Sequence, residues 1–176
     1  MSINRYTIAS PLSIAVLEGL LRRKNCDYVN NDGSVIKKFS VTDPKGKKTD
    51  FDPIKRKQLN RINFALRLFE TETCKSRGRD CNGLQKLRRE IMALYNSTED
   101  AYDLIDSWRN DLVHGKEYWT NKVALILNLI CLLMLDEVGQ STYDSHLSDF
   151  ERYSSTKKMN NPNLRFPFEI YMRTPV

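Results

Sequence analysis

The chain has 176 residues, with 28 lysines and arginines against 22 aspartates and glutamates, and a formal charge of +6 at pH 7. That length suits one domain with a small appendage, and an apolar share of 40% is enough to build a core, which excludes global disorder. The positive balance suits an anionic partner, nucleic acid being the common one, although charge governs association and solubility and leaves the fold open.

Ser10-Pro11 reads as a helix start, because serine can cap free amide groups and proline is tolerated at the first helical position. Leu12, Val16, Leu17, Leu20 and Leu21 follow at helical spacing, and Arg22-Arg23-Lys24 end the run with cations that suit a C-terminal dipole. Asn25 to Asp52 changes character. Turn-forming Asn31-Asp32-Gly33 and Asp43-Pro44-Lys45-Gly46 bracket Val35 to Val41, a β-branched and partly alternating run. Residues 27–52 are therefore expected as a small hairpin or an extended insertion. Its lysines make it either a basic flap over an anion or a solvated insertion without a role, the second being the simpler reading.

Asp52-Pro53 opens the next expected helix. Leu59, Ile62, Phe64, Ala65, Leu66, Leu68 and Phe69 supply a broad apolar face, and Lys55, Arg56, Lys57, Arg61 and Arg67 fall on the other side. These cations read as a solvated face or, more sharply, as a track for phosphates. Aromatic side chains that could stack on bases are not interleaved with them, since Phe64 and Phe69 fit the core face. Thr73 to Gly83 reads as a polar, basic loop whose Cys74 and Cys81 can bridge if oxidised. The four cysteines form no Cys-x-x-Cys pair and no secretory leader is evident, so a reduced, cytoplasmic location is expected. Neither His114 nor His146 falls at a ligand spacing from them, so no metal or other cofactor is expected.

Leu84 to Tyr95 is a further amphipathic helix, and Asn96 to Asp100 a turn and cap in which Ser97 and Asp100 loosely resemble a capping box. Helix resumes through Ala101, Leu104, Ile105 and Trp108 to Val113, and Gly115 sits where a helix C-terminus prefers glycine. Lys116 to Thr120 leads into Val123 to Leu135, an apolar run interrupted only by Asn128. It is shorter than the roughly 20 residues a span needs, so it reads as a helix buried on most sides and no membrane is expected. Cys131 within it behaves as a small hydrophobe. Beyond Gly139 the pattern weakens into a C-terminal extension, residues 140–176. One more helix is expected there over Asp144 to Tyr153, and an aromatic, proline-broken end at Leu164 to Tyr171 that lies extended against the body or a partner. There is no internal repeat, low-complexity tract or glycine-rich phosphate loop. The expected class is all-α, a single helical domain of four to five main helices with the small insertion.

The chemistry concentrates in Trp108-Arg109-Asn110-Asp111-Leu112-Val113-His114-Gly115. Arginine is permanently cationic and offers a planar fork of donors that matches a phosphate. Histidine exchanges protons near neutral pH. Together they supply what RNA cleavage without metal requires: one group moves the proton of the 2′-hydroxyl or of the leaving oxygen, and another stabilises charge on the phosphate. On a continuous helix Arg109 and His114 lie about 140° apart around the axis, at roughly 100° per residue. A helix ending near Val113 releases His114 and lets the two converge, with Asn110 orienting the phosphate or the histidine. The plainer alternative is a surface arginine, polar decoration, and a histidine near a helix C-terminus.

The wording Arg109-Asn110-Asp111-Leu112-Val113-His114-Gly115 resembles the signature of HEPN domains: arginine, commonly followed by a polar residue such as asparagine, then histidine after four to six intervening residues. In that family the motif ends one helix of an all-α bundle just before another core helix, as it does in this pattern. The motif spans seven residues, and the likeness in helix pattern extends over Pro53 to Val138. The resemblance implies a metal-independent endoribonuclease that leaves a 2′,3′-cyclic phosphate, acts as a homodimer with both motifs facing one cleft, and serves as a toxin or in defence against phage. It implies that Arg109 holds the phosphate, His114 does the acid–base work and Asn110 supports them. Lys55, Arg56, Arg61, Lys116 and Trp119 are the candidate RNA contacts beside them. Members paired with a nucleotidyltransferase antitoxin often carry tyrosine two residues after the histidine; Lys116 stands there, and the nearest tyrosine is Tyr118. An antitoxin or another defence-system protein is the implied partner. Some members are catalytically silent, so the competing reading is a helical interaction module that binds a protein or nucleotide. Trp108 reads as packing, and His146 as a solvated histidine.

Overall fold

The structure is a computed structural model that describes residues 5–78, 81–114 and 120–138. Among them lie five helices and one two-stranded antiparallel sheet, which is the expected helical bundle with a small hairpin. In chain order these are α1 (Arg5–Lys24), β1 (Phe39–Thr42), β2 (Lys48–Phe51), α2 (Ile62–Leu68), α3 (Asn82–Leu94), α4 (Ala101–Val113) and α5 (Thr120–Val138). A π-helical turn, Phe69–Thr73, and a last α-helical turn, Cys74–Ser76, continue α2. The bundle and hairpin belong to one compact unit that runs to Asp136.

Helix α4 lies against α1, α2 and α3. Its Ala101, Tyr102, Ile105, Trp108 and Leu112 recur at helical spacing and are all buried. They meet Ile14, Leu17 and Leu21 of α1, Ile62 and Leu66 of α2, Leu84, Leu87 and Ile91 of α3, and Val123, Ile126 and Leu129 of α5. Each such side chain contributes about 1.5–3 kcal/mol by leaving water, so the helix that carries the motif is held from several sides.

Three boundaries differ from the sequence pattern. Helix α1 begins at Arg5, not Ser10, and absorbs Pro11 in its interior, where the missing N–H omits one ladder bond. Helix α2 begins at Ile62, not Asp52. Asp52 instead starts a turn: its Oδ1 accepts the Ile54 N–H at 2.9 Å and its carbonyl the Arg56 N–H at 2.7 Å. The chain then runs out, Gln58 bridging to Ser34, and Leu59 N–H reaches Gly33 O at 2.7 Å. Gly33, at φ +84°, permits that approach. Arg61 gives α2 no side-chain cap; Asp106, on α4, accepts the Ile62 N–H at 2.9 Å and caps the helix from across the bundle. Helix then persists beyond Thr73 to Ser76, where the pattern suggests loop. Thr71 Oγ donates to Arg67 O at 2.7 Å and Thr73 Oγ to buried Asn25 Oδ1 at 2.6 Å, fixing the π-helical turn against the end of α1. A Cys74–Cys81 disulfide closes the connection to α3.

Arg67 is not on a solvated face. It is 3% exposed and pairs with Asp100 at 3.1 Å and Asp103 at 2.9 Å. Arg88 of α3 also grips Asp100 and lies 3.2 Å from Glu70. Asp100 is in addition the N-cap of α4, accepting the Tyr102 N–H at 3.0 Å, so one buried carboxylate ties together α2, α3 and α4. Burial among these carboxylates pushes the Tyr102 phenol well above its ordinary pKa. Helix α5 is buried along one face only: Leu127, Met134 and Leu135 are 42%, 55% and 38% exposed and Cys131 is exposed. No described helix is long and apolar enough to cross a membrane.

The hairpin has its own small core. In the register Phe39↔Phe51 and Val41↔Thr49, the inward residues Phe39, Val41 and Phe51 join Tyr28, Val29, Val35, Leu59 and, from α2, Leu68. Phe39 stacks on Phe51 at 4.8 Å and Phe51 meets Phe64 edge-on at 5.4 Å. The turn between the strands follows from Asp43, whose Oδ1 accepts the N–H groups of Lys45 at 3.0 Å and Lys47 at 2.7 Å. The insertion is thus a platform packed on α2.

Candidate functional site

Arg109 lies on the exposed side of α4, one residue past buried Trp108. Its Nε donates to Glu18 Oε1 of α1, with the two side chains 40% and 23% exposed. The cation read from the sequence as a phosphate holder is therefore occupied by a carboxylate of the same chain. Glu18 is the lone acidic residue of α1, set among apolar neighbours, and that isolation is the signal by which sequence alone could have found it.

His114 is the C-cap of α4 and is exposed. The helix ends where the pattern places the end, but at φ −89° and ψ 4° the His114 N–H still bonds Asn110 O at 3.1 Å. That bond keeps the backbone on the helical path through His114, so its side chain leaves the axis about 140° from that of Arg109. Arg109 points to α1, whereas Asn110 and His114 face solvent. Among the described residues no hydrogen bond links the side chains of the three. One copy of the chain does not assemble the trio.

Asp106 stands three residues before Arg109 and shares its side of the helix. Arg61 closes on it, Nε and Nη2 lying 3.1 and 2.9 Å from Asp106 Oδ2. A shallow recess lies beside this pair, lined by Glu18, Arg22, Asn25, Asn60 and Arg61 among others. The site helix therefore carries two carboxylate–guanidinium pairs in a row, joining it to α1 and to the segment that precedes α2. Neither Glu18 nor Asp106 carries a sequence motif.

Of the other RNA candidates, Lys55 is exposed in the turn after β2. Arg56 spreads over the Phe51 and Phe64 rings at 4.5 and 5.8 Å, and Arg61 lies 5.4 Å from the Phe64 ring. Trp108 packs at 5.0 Å from Tyr95, under the Lys122 ammonium at 5.6 Å, as a core residue. Gly115, Lys116, Trp119, His146 and the extension 140–176 lie outside the described residues. Among the described residues no group of three or more histidine, cysteine or carboxylate side chains is placed to hold a metal ion. No protein family, no curated protein and no solved structure matches the chain.

Proposed function

We propose that the chain is a metal-independent endoribonuclease of HEPN type, working as a homodimer and serving as a toxin or phage-defence effector. The observation that carries the reading is the stretch Arg109 to His114 at the C-terminal end of α4, with a half-exposed guanidinium at its start and an exposed imidazole at its end. In the reaction the 2′-oxygen forms a bond to phosphorus while the bond to the 5′-oxygen breaks. His114 carries the proton of the attacking or leaving oxygen, Arg109 stabilises the phosphorane charge, and Asn110 steadies either one. Because the helix sends Arg109 and His114 to different sides, the site needs a second copy to complete it. The exposed apolar stripe of Leu127, Cys131, Met134 and Leu135 on the next helix supports such self-association. The partner implied besides RNA is an antitoxin or another defence protein.

The test is incubation of pure protein with transfer, messenger and ribosomal RNA in EDTA. Cleavage with cyclic phosphate ends is expected, falling roughly 10²–10⁴-fold in His114→Ala, as loss of a general acid–base group requires. Arg109→Ala should fall alongside it, and both variants should relieve a growth arrest caused by the parent. The second reading, a silent interaction module, is favoured by the closed Glu18–Arg109 pair. RNA left intact on all three substrates would select it.

A further inference from the structure

Residues 37–61 contain nine lysines and arginines against three aspartates, a net of +6 that equals the formal charge of the whole chain. Within that segment the strands and their turn carry a net of +1, Lys37 and Lys38 stand just before them, and residues 53–61, which lead to α2, carry four cations and no carboxylate; residues 75–89, with six cations against one aspartate, are the other basic stretch. Lys38, Lys45, Lys47, Lys55 and Lys57 are exposed and form no ion pair among the described residues. The small aromatic core beneath them fixes their backbone, so little ordering is left to be done when a ligand arrives. At its end the segment reaches the site helix, because Arg61 closes on Asp106, and the recess beside that pair includes Glu18, the partner of Arg109.

We infer that this hairpin surface docks the sugar–phosphate backbone of single-stranded RNA and leads it past Arg61 to the motif end of α4. The choice of RNA, and of a single strand that can bend for in-line attack, rests on the ribonuclease reading; the concentration of charge does not. Lysines on a fixed platform act as point charges that follow a phosphate chain without reading its bases. A lipid surface fits less well. The turn between the strands, Asp43 to Lys47, bears no large apolar side chain to enter a bilayer, and Ile54, 87% exposed beside Lys55, is the one large apolar side chain that residues 37–61 expose, too little for an apolar face.

The test uses full-length His114→Ala protein, so that binding is read without cleavage, and fluorescence anisotropy of a labelled 20-residue oligouridylate across a potassium chloride series. Replacing Lys45, Lys47 and Lys57 together with alanine should raise Kd about tenfold or more near 0.1 M salt. It should also flatten the slope of log K against log salt by about 2, roughly 0.7 for each lost phosphate contact. The same three positions changed to arginine should keep the affinity, which separates charge from any effect on folding. Alanine at Lys75, Lys86 and Arg89, exposed cations outside the segment, should leave binding near the parent value. Equal loss from both alanine triples would overturn the proposal by showing that net charge alone counts. Absence of RNA binding, with hairpin-dependent attachment to phosphatidylserine vesicles, would overturn it in favour of a membrane surface. Hairpin-dependent RNA binding in a protein that proves to have no cleavage activity would uphold the docking surface and remove the nuclease reading alone.

Discussion

Glu18 and Arg109, 91 residues apart in sequence, form the ion pair that joins α1 to the motif end of α4. A phosphate arriving at Arg109 meets a guanidinium already shared with a carboxylate. Coulomb attraction to the incoming anion is then offset by repulsion from Glu18, unless the pair opens.

Changing Glu18→Gln removes that competition while keeping the side chain's size. Because the pair is partly exposed, its loss should cost at most ~1 kcal/mol of stability after solvent screening. RNA affinity of the His114→Ala background should rise by about three- to tenfold, the same order of energy. Weaker binding in anisotropy would show instead that Glu18 aims Arg109.

Asp100 serves as helix cap and as partner to two arginines, one of them buried. Asp100→Ala leaves buried Arg67 with Asp103 as its one remaining carboxylate, deprives Arg88 of one of its carboxylate partners and leaves the Tyr102 N–H without its acceptor, so a loss of about 3 kcal/mol is expected. Urea denaturation followed by circular dichroism measures it. A cost under ~1 kcal/mol would mean that water reaches Arg67 freely.

The Cys74–Cys81 bridge spans a sequence separation of seven residues at the turn from α2 to α3. A loop of that length implies about 2–3 kcal/mol of stabilisation through the unfolded chain. Dithiothreitol, like a reducing cytosol, should remove it and lower the midpoint of thermal unfolding, and Cys81→Ser should no longer respond to reductant. A reductant response retained in that variant would place the sensitivity at another thiol.

On the outer face of the hairpin the Ser40 hydroxyl, 2.5 Å from Asp50 Oδ1, and more weakly the ammonium groups of Lys48 and Lys38, hold the Asp50 carboxyl below its ordinary 3.8. A depressed value means that the stabilisation is present above the unfolded pKa and fades as pH falls through the folded one. Ser40→Ala should move the Asp50 titration upward, which carboxyl chemical shifts would follow by NMR. An unmoved titration would assign the effect to the lysines.

The sequence made the hairpin turn, the span of α4 and the core of the bundle legible, because each rests on local signals: Asp-Pro-Lys-Gly for the turn, apolar recurrence for the helix. The start of α2 was not legible. Its cap, Asp106, comes from another helix, and the apolar side chain of Leu59 serves the hairpin core instead of a helix face. Arg67 misled for a similar reason, since a cation at a helical spacing gives no sign that two carboxylates await it across the bundle. At the site, the motif and the place where α4 stops were readable. The bond that keeps His114 on the helical path, and the grip of Glu18 on Arg109, depend on backbone angles and on a distant helix.

The concentration of charge in residues 37–61 has a bearing on how the protein behaves at high concentration. With that segment set aside, the remaining polypeptide is electroneutral at pH 7. A form lacking residues 37–61 would sit close to its isoelectric point in ordinary buffers, with the greasy stripe of α5 still bare and no mutual repulsion to keep molecules apart. Residues 37–61 would then act as the chain's colloidal stabiliser, and removing them to favour crystals would invite precipitation.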